Sequence, residues 1–160
     1  MRAFVAIAAV LAAAGCKSGG AGDVDAGAVG CIERNPPEPA HVHTDGMTHA
    51  GLECFTCHQP GGAAGIVFEF AGTVFTRDNG PEGGVHIRIR DSLDRIRVEQ
   101  TDDAGNFYVR AGSGLAFPVF VDVSACPTTE RMNAMLTSPS QGNCNMCHDG
   151  GVLGRISINP

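Results

Sequence analysis

The chain has 160 residues, enough for one domain with appendages, and eight Phe, one Tyr and no Trp make its protein core modest. A formal charge of −6 excludes the basic surface that nucleic-acid binding calls for. Seven Cys is an odd count, awkward for an exported chain whose thiols pair off.

Residues 1–15 read as a secretory signal peptide: Arg2, then an apolar run over 3–14 that is too short to stay in a bilayer as a spanning helix. The run Leu11-Ala12-Ala13-Ala14-Gly15-Cys16 resembles a bacterial lipobox, with Ala13 where Leu is usual. That resemblance implies lipidation of Cys16; ordinary signal-peptidase cleavage after the alanines is the alternative. Residues 16–30 are rich in Gly and Ala, with only Lys17, Asp23 and Asp25 charged, the composition of a flexible tether. Lys17 stands where an Asp in typical Gram-negative lipoproteins means inner-membrane retention, so the outer membrane is favoured.

The arm 31–64 starts with Pro36, Pro37 and Pro39, which favour an extended chain over a helix. It then carries His41, His43 and His49 without clear periodicity, and reaches Cys54-Phe55-Thr56-Cys57-His58. C-x-x-C-H is the attachment signature of c-type haem. Two thiols add across the vinyl groups of one porphyrin, and the following His becomes the proximal iron ligand.

The middle, 65–124, has the pattern of a small antiparallel β-sandwich. Residues 72–76 are β-rich, and Asp78-Asn79-Gly80-Pro81 is a strong turn. Over 85–90, Val85, Ile87 and Ile89 alternate with His86, Arg88 and Arg90; over 95–100, Ile96 and Val98 are expected inward and Arg95, Arg97 and Glu99 outward. Further strands are predicted at 107–110 and 118–123. The outward arginines Arg88, Arg90, Arg95 and Arg97 suit haem propionates through bidentate pairing, or else form a solvated face balanced by Asp91, Asp94 and Glu99.

The second arm, 125–160, is expected to hold one short helix over 128–136, capped by Thr128 or Thr129. It also holds the second motif, Cys144-Asn145-Met146-Cys147-His148. Two C-x-x-C pairs can instead make one zinc site, or redox dithiols. Zinc spacing does not require a His after each pair, and redox dithiols usually sit on a βαβ unit, which has no counterpart here.

With both motifs in view, the chain resembles a dihaem c-type cytochrome. The resemblance implies two covalently attached haem c groups, held by Cys54, Cys57, Cys144 and Cys147, with His58 and His148 as proximal ligands. Distal candidates are His49 and His43, then His41 and His86; Met47, Met132 and Met135 are alternatives, and Met146 is badly placed. With Cys16 given to lipid, Cys31 and Cys126 remain and can form a disulfide in an oxidising compartment, the alternative being two unpaired buried thiols. A second resemblance, carried by GTVFTRDNGPEGGVHIRIRDSLDRIRVEQTDDAGNFYV, is to the carboxypeptidase-regulatory-like or transthyretin-like sandwich family, over about 72–123. It implies a scaffold and no catalytic residue.

The expected fold is therefore mainly β, a sandwich flanked by irregular haem-binding arms. The expected function is electron transfer outside the cytoplasm, in the periplasm or at the cell surface. Its partners would be redox proteins, copies of itself by self-association, and a membrane reached through the lipid anchor. A dihaem peroxidase or small-molecule reductase with one open iron is the enzymatic alternative, and an adhesion or assembly module with structural haem is the third. Two motifs flanking a sandwich are expected to bring both haems to one end or face.

Overall fold

Apolar alternation around a central strand organises the computed structural model, which describes residues 30–159; the signal 1–15, Cys16 and nearly all of the tether lie outside the described residues. Six strands form: β1 (Phe68–Thr73), β2 (His86–Arg90), β3 (Ile96–Gln100), β4 (Asn106–Arg110), β5 (Phe120–Ala125) and β6 (Thr128–Arg131). They make two antiparallel sheets, β1-β4 and β3-β2-β5-β6. Phe70, Val74, Phe107 and Val109 of the first meet Ile87, Ile89, Val121 and Val123 of the second in one buried core. The fold is mainly β, as expected, with 3-10 turns and a single helical turn, α1 (Cys144–Cys147).

β2 lies between β3 and β5, so both of its edges are paired, and both of its faces are covered as well. Val85, Ile87 and Ile89 face the core. His86 and Arg88 were expected to point outward, yet each is only 5% exposed. The proline-rich arm lies over them: His86 Nε2 donates to the Glu33 carbonyl (3.0 Å), and Arg88 donates to the Gly30 carbonyl (3.2 Å) and pairs with Asp122 (2.9 Å). The Cys31–Cys126 disulfide ties this arm to the end of β5, across 95 residues of chain. Ile32 N–H donates to Ser124 Oγ (2.8 Å) beside it.

Three expectations are corrected. Residues 128–131 form β6, not a helix. Thr128 and Thr129 are β-branched and pair with Ala125 and Ser124 across a tight Cys126-Pro127 turn, which outweighs the capping pattern. The sandwich consequently runs past residue 124. Second, Ile96 and Val98 are exposed, at 50% and 44%. The register sets Val98 opposite Arg88 and Ile96 opposite Arg90, on the outer face, while Arg97 lies on the same side of the sheet as Ile89 but stays exposed at its edge. Third, every arginine of the expected anion-binding stripe already has a carboxylate: Arg88 with Asp122, Arg90 with Asp94 (2.7 Å), Arg95 with Asp91 (2.6 Å) and Arg97 with Glu99. The balanced polar face is the reading these pairs support.

Candidate haem-attachment site

Both C-x-x-C-H segments fold into the same local shape. Cys54–Thr56 is a 3-10 turn, and His58 N–H closes on the Cys54 carbonyl at 3.0 Å. In α1, His148 N–H closes on the Cys144 carbonyl at 2.9 Å. One helical turn sets residues three and four apart on one side, which groups the two cysteines and the imidazole of each motif, although the Cys147 sulfur is in a disulfide. The imidazoles are fixed alike: His58 Nδ1 meets the Ile66 carbonyl at 2.9 Å, and His148 Nδ1 meets the Gly154 carbonyl at 3.1 Å. A carbonyl can only accept, so each Nδ1 carries a proton, the tautomer that in a neutral ring leaves the Nε2 lone pair for a metal.

The two turns share one seat, the edge of β1 away from β4. Phe68 N–H donates to the His58 carbonyl (2.9 Å), and Ala71 bridges to Asn143. Asn145, inside the second motif and 1% exposed, accepts from Thr73 N–H (3.0 Å) and donates to the Leu52 carbonyl (2.7 Å), just before the first motif. Its amide nitrogen also lies 4.0 Å from Cys54 Sγ. A Cβ on Gly72 would stand 2.8 Å from the Cys144 Cβ, so only glycine lets the second motif come this close. The motifs thus meet at one edge of the sandwich, as expected of two segments that flank it.

Among the thiols, Cys54, Cys57 and Cys144 are free, while Cys147 is disulfide-bonded, so haem attachment through Cys147 requires its prior reduction. Burial pushes the Cys54 thiol up to about 11. Burial also raises the Cys144 thiol, with the charge of nearby Cys54 adding to it. Redox dithiols need lowered values, so these two are poor nucleophiles of that kind. Among the described residues no three His, Cys, Asp or Glu side chains gather in a metal-holding group, which leaves the single zinc site without a frame.

The spare histidines divide sharply. His43 stacks on His49 at 4.4 Å between ring centres, meets His41 at 5.0 Å and lies 6.0 Å from His58. Two imidazoles on opposite sides of one metal, each bonded at about 2 Å, place their ring centres about 6 Å apart. His43 already has that spacing from His58. His49 has its Nε2 engaged by Asp45 at 2.6 Å, and His86 is sequestered under the arm, so neither is as well disposed as His43. His43 is held below its ordinary pKa by burial first, then by the neighbouring imidazoles His49, His41 and His58, which favours the neutral, ligating form. Met132 packs against the core, whereas Met47 and Met135 are exposed.

Near the motifs in sequence, Val42, Met47, Leu52, Ile66, Met146, Val152 and Leu153 are exposed apolar side chains, as Leu93, Ile96, Val98 and Tyr108 are on the sandwich. The donor set and the oriented imidazoles fit a covalently held porphyrin. Sequence reasoning missed Asn145 and the β1 edge; a filler residue between two cysteines carries no sequence signal of its own. It also missed the stack of His58 on Phe68 (3.9 Å) and Phe68 on Tyr108 (4.6 Å).

No protein-family model matches this chain, and neither does any curated protein or solved structure.

Proposed function

We propose that the protein is a dihaem c-type electron carrier, exported and lipid-anchored through Cys16. The observation that carries this is the pair of identical C-x-x-C-H turns, each with its His held at Nδ1, seated side by side on β1. Cys54 and Cys57 would hold one haem and Cys144 and Cys147 the other, with His58 and His148 ligating through Nε2. When bound, haem supplies a one-electron iron couple. His43 would be a second imidazole ligand at the first site, with His49 stacked on it and Asp45 holding His49. Spare histidines gathered beside His58 favour a carrier over a peroxidase or reductase at that site. Partners would be redox proteins or copies of the same chain. The Cys31–Cys126 disulfide accords with an oxidising compartment outside the cytoplasm.

The test uses protein matured in an exporting host. After acid-acetone extraction, a pyridine haemochrome spectrum should be c-type, at two haems per chain. His43→Ala should then turn one haem of the two high-spin and able to bind carbon monoxide, while His41→Ala leaves it low-spin. Loss of all haem on extraction, or zinc in its place, would end the carrier reading. An unaltered spectrum in His43→Ala would remove His43 alone.

A further inference from the structure

The free edge of β3 has chemistry of its own, independent of haem. Ladder bonds in an antiparallel pair alternate along the strand. Thr101 N–H to the Val85 carbonyl (2.8 Å) and Asp91 N–H to the Arg95 carbonyl (3.0 Å) bracket the β2–β3 ladder. Odd-numbered residues of β3 therefore bond to β2, and the backbone groups of Ile96, Val98 and Gln100 point away from it. Beyond that edge an open groove of about 520 Å³ runs between β3 and β4, lined by Arg97, Val98, Glu99 and Tyr108 among others. Ile96 and Val98 are about half exposed on the outer face beside it. Shortness blunts an edge, but backbone groups that point away from the sheet beside exposed β-branched residues still offer a template for another strand.

We propose that this edge pairs with β3 of a second copy, antiparallel about a two-fold axis at Val98. That register sets Val98 against Val98 of the partner subunit, and Ile96 against Gln100 of the partner subunit. These are the even-numbered residues whose backbone groups are free, so the ladder continues in phase. It also sets Arg97 against Glu99 of the partner subunit, twice by symmetry. Charges on an edge usually keep strands apart. Here the Arg97 and Glu99 carboxylate-guanidinium pair, already formed within the strand, is exchanged between copies, so both directly opposed charged pairs are of opposite sign. The interface is isologous and closes at two subunits.

Charge reversal tests it on the mature full-length chain by sedimentation equilibrium. Wild type should dimerise with increasing concentration. Arg97→Glu alone and Glu99→Arg alone should each lose the dimer, because like charges then face each other across the axis. Mixing the two single variants should restore a one-to-one heterodimer, and the double exchange should restore the homodimer; both recoveries show that the single variants are folded. Val98→Pro should also abolish pairing, since it deletes an N–H that β2 does not use. A wild type that stays monomeric, or a dimer indifferent to either single reversal, overturns the proposal.

Discussion

Asn145 shows how much of the site rests on one side chain. Its carboxamide accepts from Thr73 N–H and donates to the Leu52 carbonyl and to Thr73 Oγ1 (3.1 Å). His58 and His148 are held by backbone carbonyls, but the two motifs are held to each other by this amide. Asn145→Ala leaves the Thr73 N–H buried without its acceptor and removes the tie to the Leu52 carbonyl. A buried donor left unpaired costs about 1–3 kcal/mol, so we expect the variant to unfold at lower denaturant concentration, with an unchanged slope. An unfolding midpoint equal to wild type would mean that solvent replaces the amide at no cost. Nothing in the pentapeptide distinguishes Asn145 from Phe55 at the equivalent place, because its partners lie 72 and 93 residues away.

At the scale of elements, the turn between β2 and β3 is knitted by Asp91, whose side chain is 1% exposed. It accepts from Leu93 N–H (2.9 Å), Arg95 N–H (3.0 Å) and Ala116 N–H (3.3 Å), and binds the Arg95 guanidinium. The Arg95 hydrogen bond first, and the backbone N–H groups after it, hold this carboxyl near 2, against the opposing effect of burial. An unfolded chain restores a value of about 4. Between pH 2 and 4 the unfolded state therefore binds the extra proton, and stability rises with pH there. The contribution is complete above about pH 4 and is lost as pH falls through 2. In urea titrations the stability gap between wild type and Asp91→Asn should narrow across this window; a gap constant from pH 5 to pH 2 would contradict the assignment. The same hairpin shows where pattern reading stops. Alternation identified β2 and β3 as strands, but the faces of β3 depend on pairing register and edge position, and apolar residues at an edge need not turn inward. Likewise Thr128 and Thr129 fit a helix cap or a strand equally well until β5 lies beside them.

For the whole molecule, the Cys31–Cys126 bridge holds the proline-rich arm across β2 and buries His86 and Arg88. Closing 95 residues of chain is worth about 4–5 kcal/mol on the entropic model. The double variant Cys31→Ala, Cys126→Ala should lose most of that in equilibrium unfolding and expose His86 to modification by diethyl pyrocarbonate. If His86 stays protected, the arm is held by its hydrogen bonds without the disulfide.

By itself the sequence determined what covalent chemistry and local spacing dictate: the two C-x-x-C-H turns, the pairing of Cys31 with Cys126, the predominance of β structure and the central strand β2. The turns and strands are short-range properties, set by residues a few positions apart, whereas the Cys31–Cys126 pairing came from the count of cysteines left over. Only the tertiary structure decided that the motifs meet on β1 through Asn145 and Gly72, that His43 rather than His86 stands near His58, and that the arginines are already paired. Those outcomes depend on which distant segments come to share a face, and the energy that selects among them comes from burial and from satisfying buried polar groups across the whole chain.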